Sequence, residues 1–267
     1  MAGAPETGTG TSAGAGIDAA RVEEAGLNVL QTQRQLFYDG WLLRLSPGKA
    51  KRARSVNAHF GSTLPLAVKI AHCEALYARH ALPALFRITP FDRPADLEAT
   101  LAARGYEAFE ETLVMATPLT AAPAAPDPAT GITLADVEAS AFVDIVGDLR
   151  GTPAPQREAH RERLLNSLLA NRMLVVRAGG DIACAGQIVI DGELAGIYDV
   201  ATAEAARGRG YATLACAALL SWASREGARA AYLQVSANNA AAIAIYGKFG
   251  FATRYTYHYR GRPGEQR

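Results

Sequence analysis

The chain has 267 residues, 49% of them hydrophobic and 20% charged, with a formal net charge of +1 at neutral pH. That length supports one large domain or two modest ones, each able to bury a proper core. The near-neutral balance argues against a general nucleic-acid or membrane-surface binder, which carries an excess of basic residues.

The opening stretch MAGAPETGTGTSAGAG lacks the basic start and apolar core of a secretory signal, and residues 1–17 read as a disordered leader. IDAARVEEAGLNVLQTQ then has helical spacing, and YDGWLLRLS alternates like a strand after an Asp-Gly turn signal. A helix follows around LAVKIAHCEALYARH and a strand at ALFRITP. Another helix is expected at PADLEATLAARG and a strand at EAFEETLVMATPL. Residues 18–117 thus make an α/β half. The Pro- and Ala-rich stretch that follows cannot build a core, so 118–130 reads as an interdomain linker. The other reading is a long surface loop within one domain.

In the second half, 131–260, GITLADV reads as a strand, and EASAFVDIVGDLR and PQREAHRERLLNSLLAN as helices. RMLVVRAGGDIACAGQIVIDGELAGIYDVAT reads as three antiparallel strands joined at Gly180-Asp181 and Asp191-Gly192. ARAAYLQVS is a strand, NNAAAIAIYGKF a helix stopped by Gly250, and FATRYTYHYR a final strand before the tail at 261–267. The order is an antiparallel meander followed by a right-handed crossover.

Cys73, Cys184 and Cys216 are far apart and odd in number, so they suggest neither a disulfide framework nor a metal cluster; a reducing, cytoplasmic setting fits them. The histidines His59, His72, His80, His160 and His258 have no metal-ligand spacing, and core or surface roles are their default. No apolar run approaches the ~18–20 residues that cross a bilayer.

The crossover begins with ARGRGYATLACAALLSWA, in which glycines and arginines abut a helix start. Helix N-terminal N–H groups lack intrahelical partners and carry the positive end of the macrodipole. Glycine lets the main chain approach a ligand, and arginine suits phosphate oxygens. The stretch therefore reads as a phosphate or pyrophosphate pocket. It lacks the G-x-x-x-x-G-K-[ST] pattern, and Thr213 stands where G-x-G-x-x-G needs its third glycine. Nucleotide hydrolysis and dinucleotide binding are disfavoured.

R-G-x-G-x-A, then a strand, then N-x-x-A-x-x-x-Y-x-x-x-G-F through Asn239, Ala242 and Tyr246 resembles the GNAT superfamily of acyl-CoA-dependent N-acyltransferases. The first half resembles the N-terminal half of bacterial two-part GNAT proteins, with Arg54 where those usually carry Asn. The resemblance implies an α/β GNAT fold: a mixed, mostly antiparallel central sheet flanked by helices, preceded by a degenerate GNAT-like half that shapes the acceptor side. It implies acetyl-CoA as cosubstrate and no metal. Main-chain N–H groups from Arg207 through Gly208, Arg209, Gly210 and Tyr211 to Ala212 would cradle the pyrophosphate, with side-chain help from Arg207 and Arg209, whose other reading is a solvated pair. Backbone groups near Val200, Ala201 and Thr202 would hold the pantetheine arm like an added strand and polarise the thioester carbonyl.

Asn239 would bond the cofactor; its other reading is a helix cap, which Asn238 could supply instead. Tyr246 would be the general acid for the departing thiolate, a near-balanced transfer at ordinary thiol and phenol pKa values; its other reading is a core aromatic. Asp199 interrupts an apolar strand. Burial would raise its pKa and fit it to accept a proton, whereas a structural role would pair it with an arginine or a backbone N–H. The activity implied is acetyl transfer to a primary amine of a small molecule by a monomer or homodimer that binds no nucleic acid or membrane. The alternatives are an acyl-CoA-sensing regulator without turnover and an acetyltransferase for protein N-termini or lysines.

Overall fold

The computed structural model describes residues 16–120 and 131–265, so the expected leader and linker fall largely outside it. The first half contains α1 (Ala19–Val29), β1 (Gln35–Tyr38), β2 (Trp41–Arg44), β3 (Val56–Asn57), α2 (Leu66–Arg79), β4 (Phe86–Ile88), α3 (Leu97–Ala103) and β5 (Glu107–Pro118). The second contains β6 (Ile132–Asp136), α4 (Ala139–Arg150), α5 (Ala154–Leu165), β7 (Ala170–Ala178), β8 (Asp181–Asp191) and β9 (Leu194–Thr202). It continues with α6 (Tyr211–Arg225), β10 (Ala230–Ser236), α7 (Ala240–Gly247) and β11 (Ala252–Gly261).

Boundaries differ from expectation where tertiary pairing competes with local preference. The helix expected over 155–171 stops at Leu165, where the Asn166 amide donates to the Glu162 carbonyl at 2.8 Å. Ala170 and Asn171 join β7 instead, opposite Ile190 and Val189. Both meander turns sit one residue from the expected positions. Ala178 pairs with Asp181 around Gly179-Gly180, and Asp191 pairs with Leu194 around Gly192-Glu193.

All strands form one sheet of mixed, mostly antiparallel pairing, in the order β1-β2-β3-β4-β11-β5-β10-β9-β8-β7-β6. Its parallel contacts are β3 with β4 and β9 with β10. Each half runs strand, helix, parallel strand, helix, strand: β3-α2-β4-α3-β5 and β9-α6-β10-α7-β11. The last strand of each is exchanged. β5 pairs with β10, β11 pairs with β4, and β5 and β11 pair with each other at the centre.

Alternation along β7 divides the second half's core into two layers. Leu174 and Val176 face α6 with Cys184, Ile188 and Leu219, while Met173 and Val175 face α4 and α5 with Phe142, Val143 and Leu164. Helix α1, capped by Asp18 accepting from the Ala20 N–H at 3.0 Å, packs Val22 and Ala25 against residues of β5, β8, β9, β10 and β11. Its Glu23 is buried in a two-toothed pair with Arg87 of β4 and accepts from the Tyr255 hydroxyl of β11 at 2.6 Å.

Candidate active site

The site originates in a defect of the sheet. β9 and β10 pair in parallel only from Leu194–Ile197 against Ala230–Leu233. Just beyond, β9 carries an extra residue: Ala185 and Gln187 of β8 stand opposite Ala201 and Tyr198, which leaves a bulge at Asp199-Val200. Asp199 takes φ +55°, a left-handed conformation that Asp tolerates better than most side chains. A bulge bends its strand and sharpens its twist, so β9 turns away from β10 and the backbone edge of 199–202 is left open. An open edge of this kind accepts an extended ligand as an added strand.

A cavity of about 960 Å³ occupies this opening. Asp199, Val200, Ala201, Thr202, Arg207, Gly208, Gly210, Tyr211, Ala212, Asn239 and Tyr246 all line it. Arg209 does not line it and is exposed. At the start of the turn the Arg207 N–H already donates to the Glu204 carbonyl at 3.3 Å. Gly208 and Gly210 take φ +76° and +84°, and a Cβ at either would meet no protein atom within 4 Å. Gly210 caps α6, and its carbonyl receives the Leu214 N–H at 3.0 Å. The N–H groups of Tyr211, Ala212 and Thr213 are therefore the helix's own orphan donors, and all three residues line the cavity.

Asn239, not Asn238, caps α7: its Oδ1 accepts the Ala242 N–H at 3.1 Å. Its Nδ2 donors remain for a ligand, so capping and binding are compatible. Tyr246 packs its ring 6.0 Å from that of Phe251. Burial pushes its phenol well above the ordinary range, with Arg150 opposing the rise.

Of the two readings of Asp199, its electrostatics follow the arginine-paired one and not the raised-pKa one. Burial alone would raise its pKa, but His160, Arg150 and Arg163 hold the carboxyl well below the usual carboxylate range. Arg150 Nη1 donates to Oδ1 at 2.7 Å; His160 Nε2 lies 3.2 Å and Arg163 Nη2 3.9 Å from Oδ2. A carboxylate held this way stays ionised through neutral pH and is a poor proton acceptor. Arg150 Nη2 also reaches the Val200 carbonyl at 3.4 Å.

These basic partners were not singled out in the sequence. A signal for them existed: His160 and Arg163 are three apart on α5 and so share a face, beside the buried Leu164. Arg161 instead pairs with Glu158 and Asp144. The first half also reaches the cavity, through Leu30 and the segment containing Lys49, Ala50 and Arg52. No position in the sequence announces that contact. Among the described residues, no group of three or more His, Cys, Asp or Glu is placed to hold a metal ion, and no helix is long and apolar enough to cross a membrane.

A family model described as "Probable histone acetyltransferase Rv0428c C-terminal" matches residues 18–260. The chain belongs to this family. It is a GNAT-type N-acetyltransferase, an acyltransferase by activity. Among similar proteins, the uncharacterized N-acetyltransferase YobR of Bacillus subtilis (strain 168) is 27% identical over 223 residues, covering 82% of this chain and 89% of YobR. The fold matches a GCN5-related N-acetyltransferase from Kribbella flavida with a TM-score of 0.70 at 16% identity, over 94% of this chain and 97% of the other. It also matches one from Sphaerobacter thermophilus with a TM-score of 0.61 at 19% identity, over 79% and 73% of the two chains. GNAT acetyltransferases bind acetyl-CoA and an acceptor.

Proposed function

We propose that this chain transfers the acetyl group of acetyl-CoA to a primary amine of a small molecule by direct attack. The observation that carries this reading is the convergence of the glycine turn, the open edge of β9, Asn239 and Tyr246 on one cavity. Acetyl-CoA supplies the activated acyl group. The N–H groups of Tyr211 and Ala212 receive the pyrophosphate at the positive end of α6, with Arg207 beside them. Backbone polar groups from Val200 to Thr202 bind the pantetheine arm, and Asn239 adds its amide N–H groups.

The amine nitrogen bonds to the acyl carbon and sheds a proton while the carbon–sulfur bond breaks. Tyr246 stands by the leaving sulfur. Its phenol sits above its ordinary range, whereas a free thiol has a pKa of about 8.5. Full proton transfer to the thiolate is therefore uphill, and the hydroxyl acts chiefly by hydrogen-bonding the charge that develops on sulfur. Asp199, held ionised at neutral pH by its basic partners, orients Arg150 and His160 rather than taking the amine's proton. The imidazole of His160, which also lines the cavity, is then the side chain available to receive that proton.

Calorimetric titration with acetyl-CoA, followed by a CoA-release assay over polyamines, amino acids, aminoglycosides and peptides, tests the reading. Binding with amine-dependent release is expected. Binding without release from any acceptor would indicate an acyl-CoA sensor instead. Release with peptides alone would make the protein an N-terminal or lysine acetyltransferase, as the family description suggests.

A further inference from the structure

Away from the glycine turn, the cavity has an imbalance of charge. Among the described residues Asp199 is its one lining carboxylate, and Lys49, Arg52, Arg150, Arg157 and Arg163 line the same region. Arg157 is neutralised where it stands, with Nη1 2.7 Å from Asp148 and Nε donating to the Thr152 carbonyl at 2.7 Å. The single charge of Asp199 is shared between Arg150 at 2.7 Å and Arg163 at 3.9 Å. Arg52 has no carboxylate partner among the described residues. Its guanidinium carbon lies 5.9 Å from the centre of the Tyr198 ring, and its Nη1 is buried without a hydrogen bond.

A buried guanidinium donor with no acceptor is unfavourable, because the N–H loses water and gains nothing in exchange. The like charges bear on Arg163. Burial holds the Arg163 guanidinium below its ordinary range; Asp199 opposes that, and Arg52 and Arg150 add to it. An oxyanion placed among these groups would accept from Arg52 Nη1 and offset the surplus. Arg52 and Lys49 come from the first half, whereas Arg150 and Arg163 come from α4 and α5, so the cluster exists only where the halves meet.

Resting on the acetyl-transfer reading, we propose that the acceptor amine also carries an oxyanionic group, a carboxylate or a phosphate, which Arg52 and Arg163 bind. Guanidinium forks match both oxyanions geometrically. The anchored anion turns the amine toward the open edge of β9. A lysine-rich polypeptide tail meets the same cluster as repulsion, so the charge pattern excludes it as the preferred acceptor.

The test uses the full chain in two measurements. In the first, protein saturated with desulfo-CoA is titrated calorimetrically with inorganic phosphate and with acetate. At least one of them should bind the wild type, and its affinity should fall about tenfold or more in Arg52→Gln and in Arg163→Gln, as expected for loss of a hydrogen bond to a charged group. In the second, CoA release is compared within matched pairs: phosphoethanolamine with ethanolamine, and β-alanine with its amide. The charged member of at least one pair should be favoured about tenfold or more in kcat/KM, and the favoured pair distinguishes phosphate from carboxylate. Acetyl-CoA affinity within about twofold of wild type shows that each variant remains folded. Failure of both anions to bind overturns the proposal. So does a preference that survives in both variants, or equal or better use of the neutral amines or of a lysine-rich peptide. Failure of acetyl-CoA itself to bind would instead overturn the underlying acetyl-transfer reading.

Discussion

Gly210 and Asp199 both hold left-handed backbone, for different reasons. At φ +84° with open space around it, Gly210 is required by conformation and not by crowding from the protein. Gly210→Ala should strain the turn by roughly 1–2 kcal/mol and displace the orphan donors. The expected result is a marked loss of acetyl-CoA affinity with only a few degrees' change in Tm, read by calorimetry and thermal melting. Asp199→Asn keeps a residue type that tolerates φ +55° and removes only the charge. Because Asp199 is ionised throughout neutral pH, this change should lower Tm while an acidic limb persists in the kcat/KM pH profile, displaced because His160 has lost its carboxylate partner. A limb that disappears would make Asp199 the base. Tyr246→Phe should lower kcat about 10²-fold or more and leave the Kd for acetyl-CoA nearly unchanged. An unaltered rate in the folded variant would remove Tyr246 from the chemistry.

Among the elements, α1 and β4 decide how the halves stay registered. Glu23 of α1 is buried at 3% exposure, and burial alone would raise its pKa, yet Arg87 and His59 hold it well below the carboxylate range. Glu23→Gln leaves Arg87 buried with a weakened partner and should cost about 3–5 kcal/mol, read by urea unfolding. The stability Glu23 contributes is complete above about pH 4.3 and is lost as pH falls below that. Asp92, just after β4, has the opposite sign. Burial raises it to about 6, although Thr89 donates from its N–H at 3.0 Å and from its hydroxyl at 2.8 Å. The folded state thus holds a proton that the unfolded chain releases near pH 3.9, and stability falls as pH rises through about 6. Asp92→Asn should flatten the decline in Tm between about pH 4 and 6 relative to the wild type.

Across the whole molecule, the exchange of β5 and β11 makes one sheet of two similar halves. A fragment beginning at Gly131 lacks β5, so β10 and β11 lose the strand between them. It also lacks α1, which covers Leu194, Tyr198 and Tyr232 in the intact protein. The fragment should show no cooperative melting transition and should associate through its unpaired edges. A monomeric fragment that melts cooperatively and binds acetyl-CoA would show that the second half folds alone. The site depends on the same exchange, because Lys49 and Arg52 reach the cavity only when the halves are joined.

Features governed by neighbours in the chain were legible in the sequence. The glycine turn, the apolar face of α6 and the Asn239–Tyr246 spacing follow from backbone freedom and helical period, and they sufficed to single out residues that line one cavity. Features governed by distant partners were not legible. Asp199 read either as a carboxylate whose pKa burial would raise or as one paired with an arginine, and the choice is made by Arg150, His160 and Arg163, which arrive from α4 and α5. The choice of Asn239 over Asn238 as cap depended on where β10 ends and α7 begins, which strand pairing fixes. The strand exchange, and with it the surplus of guanidinium charge lining the cavity, belongs to the tertiary structure alone. Hydrophobic and hydrogen-bonding periodicity specify what each segment becomes, but a long-range electrostatic environment exists only after the segments have packed.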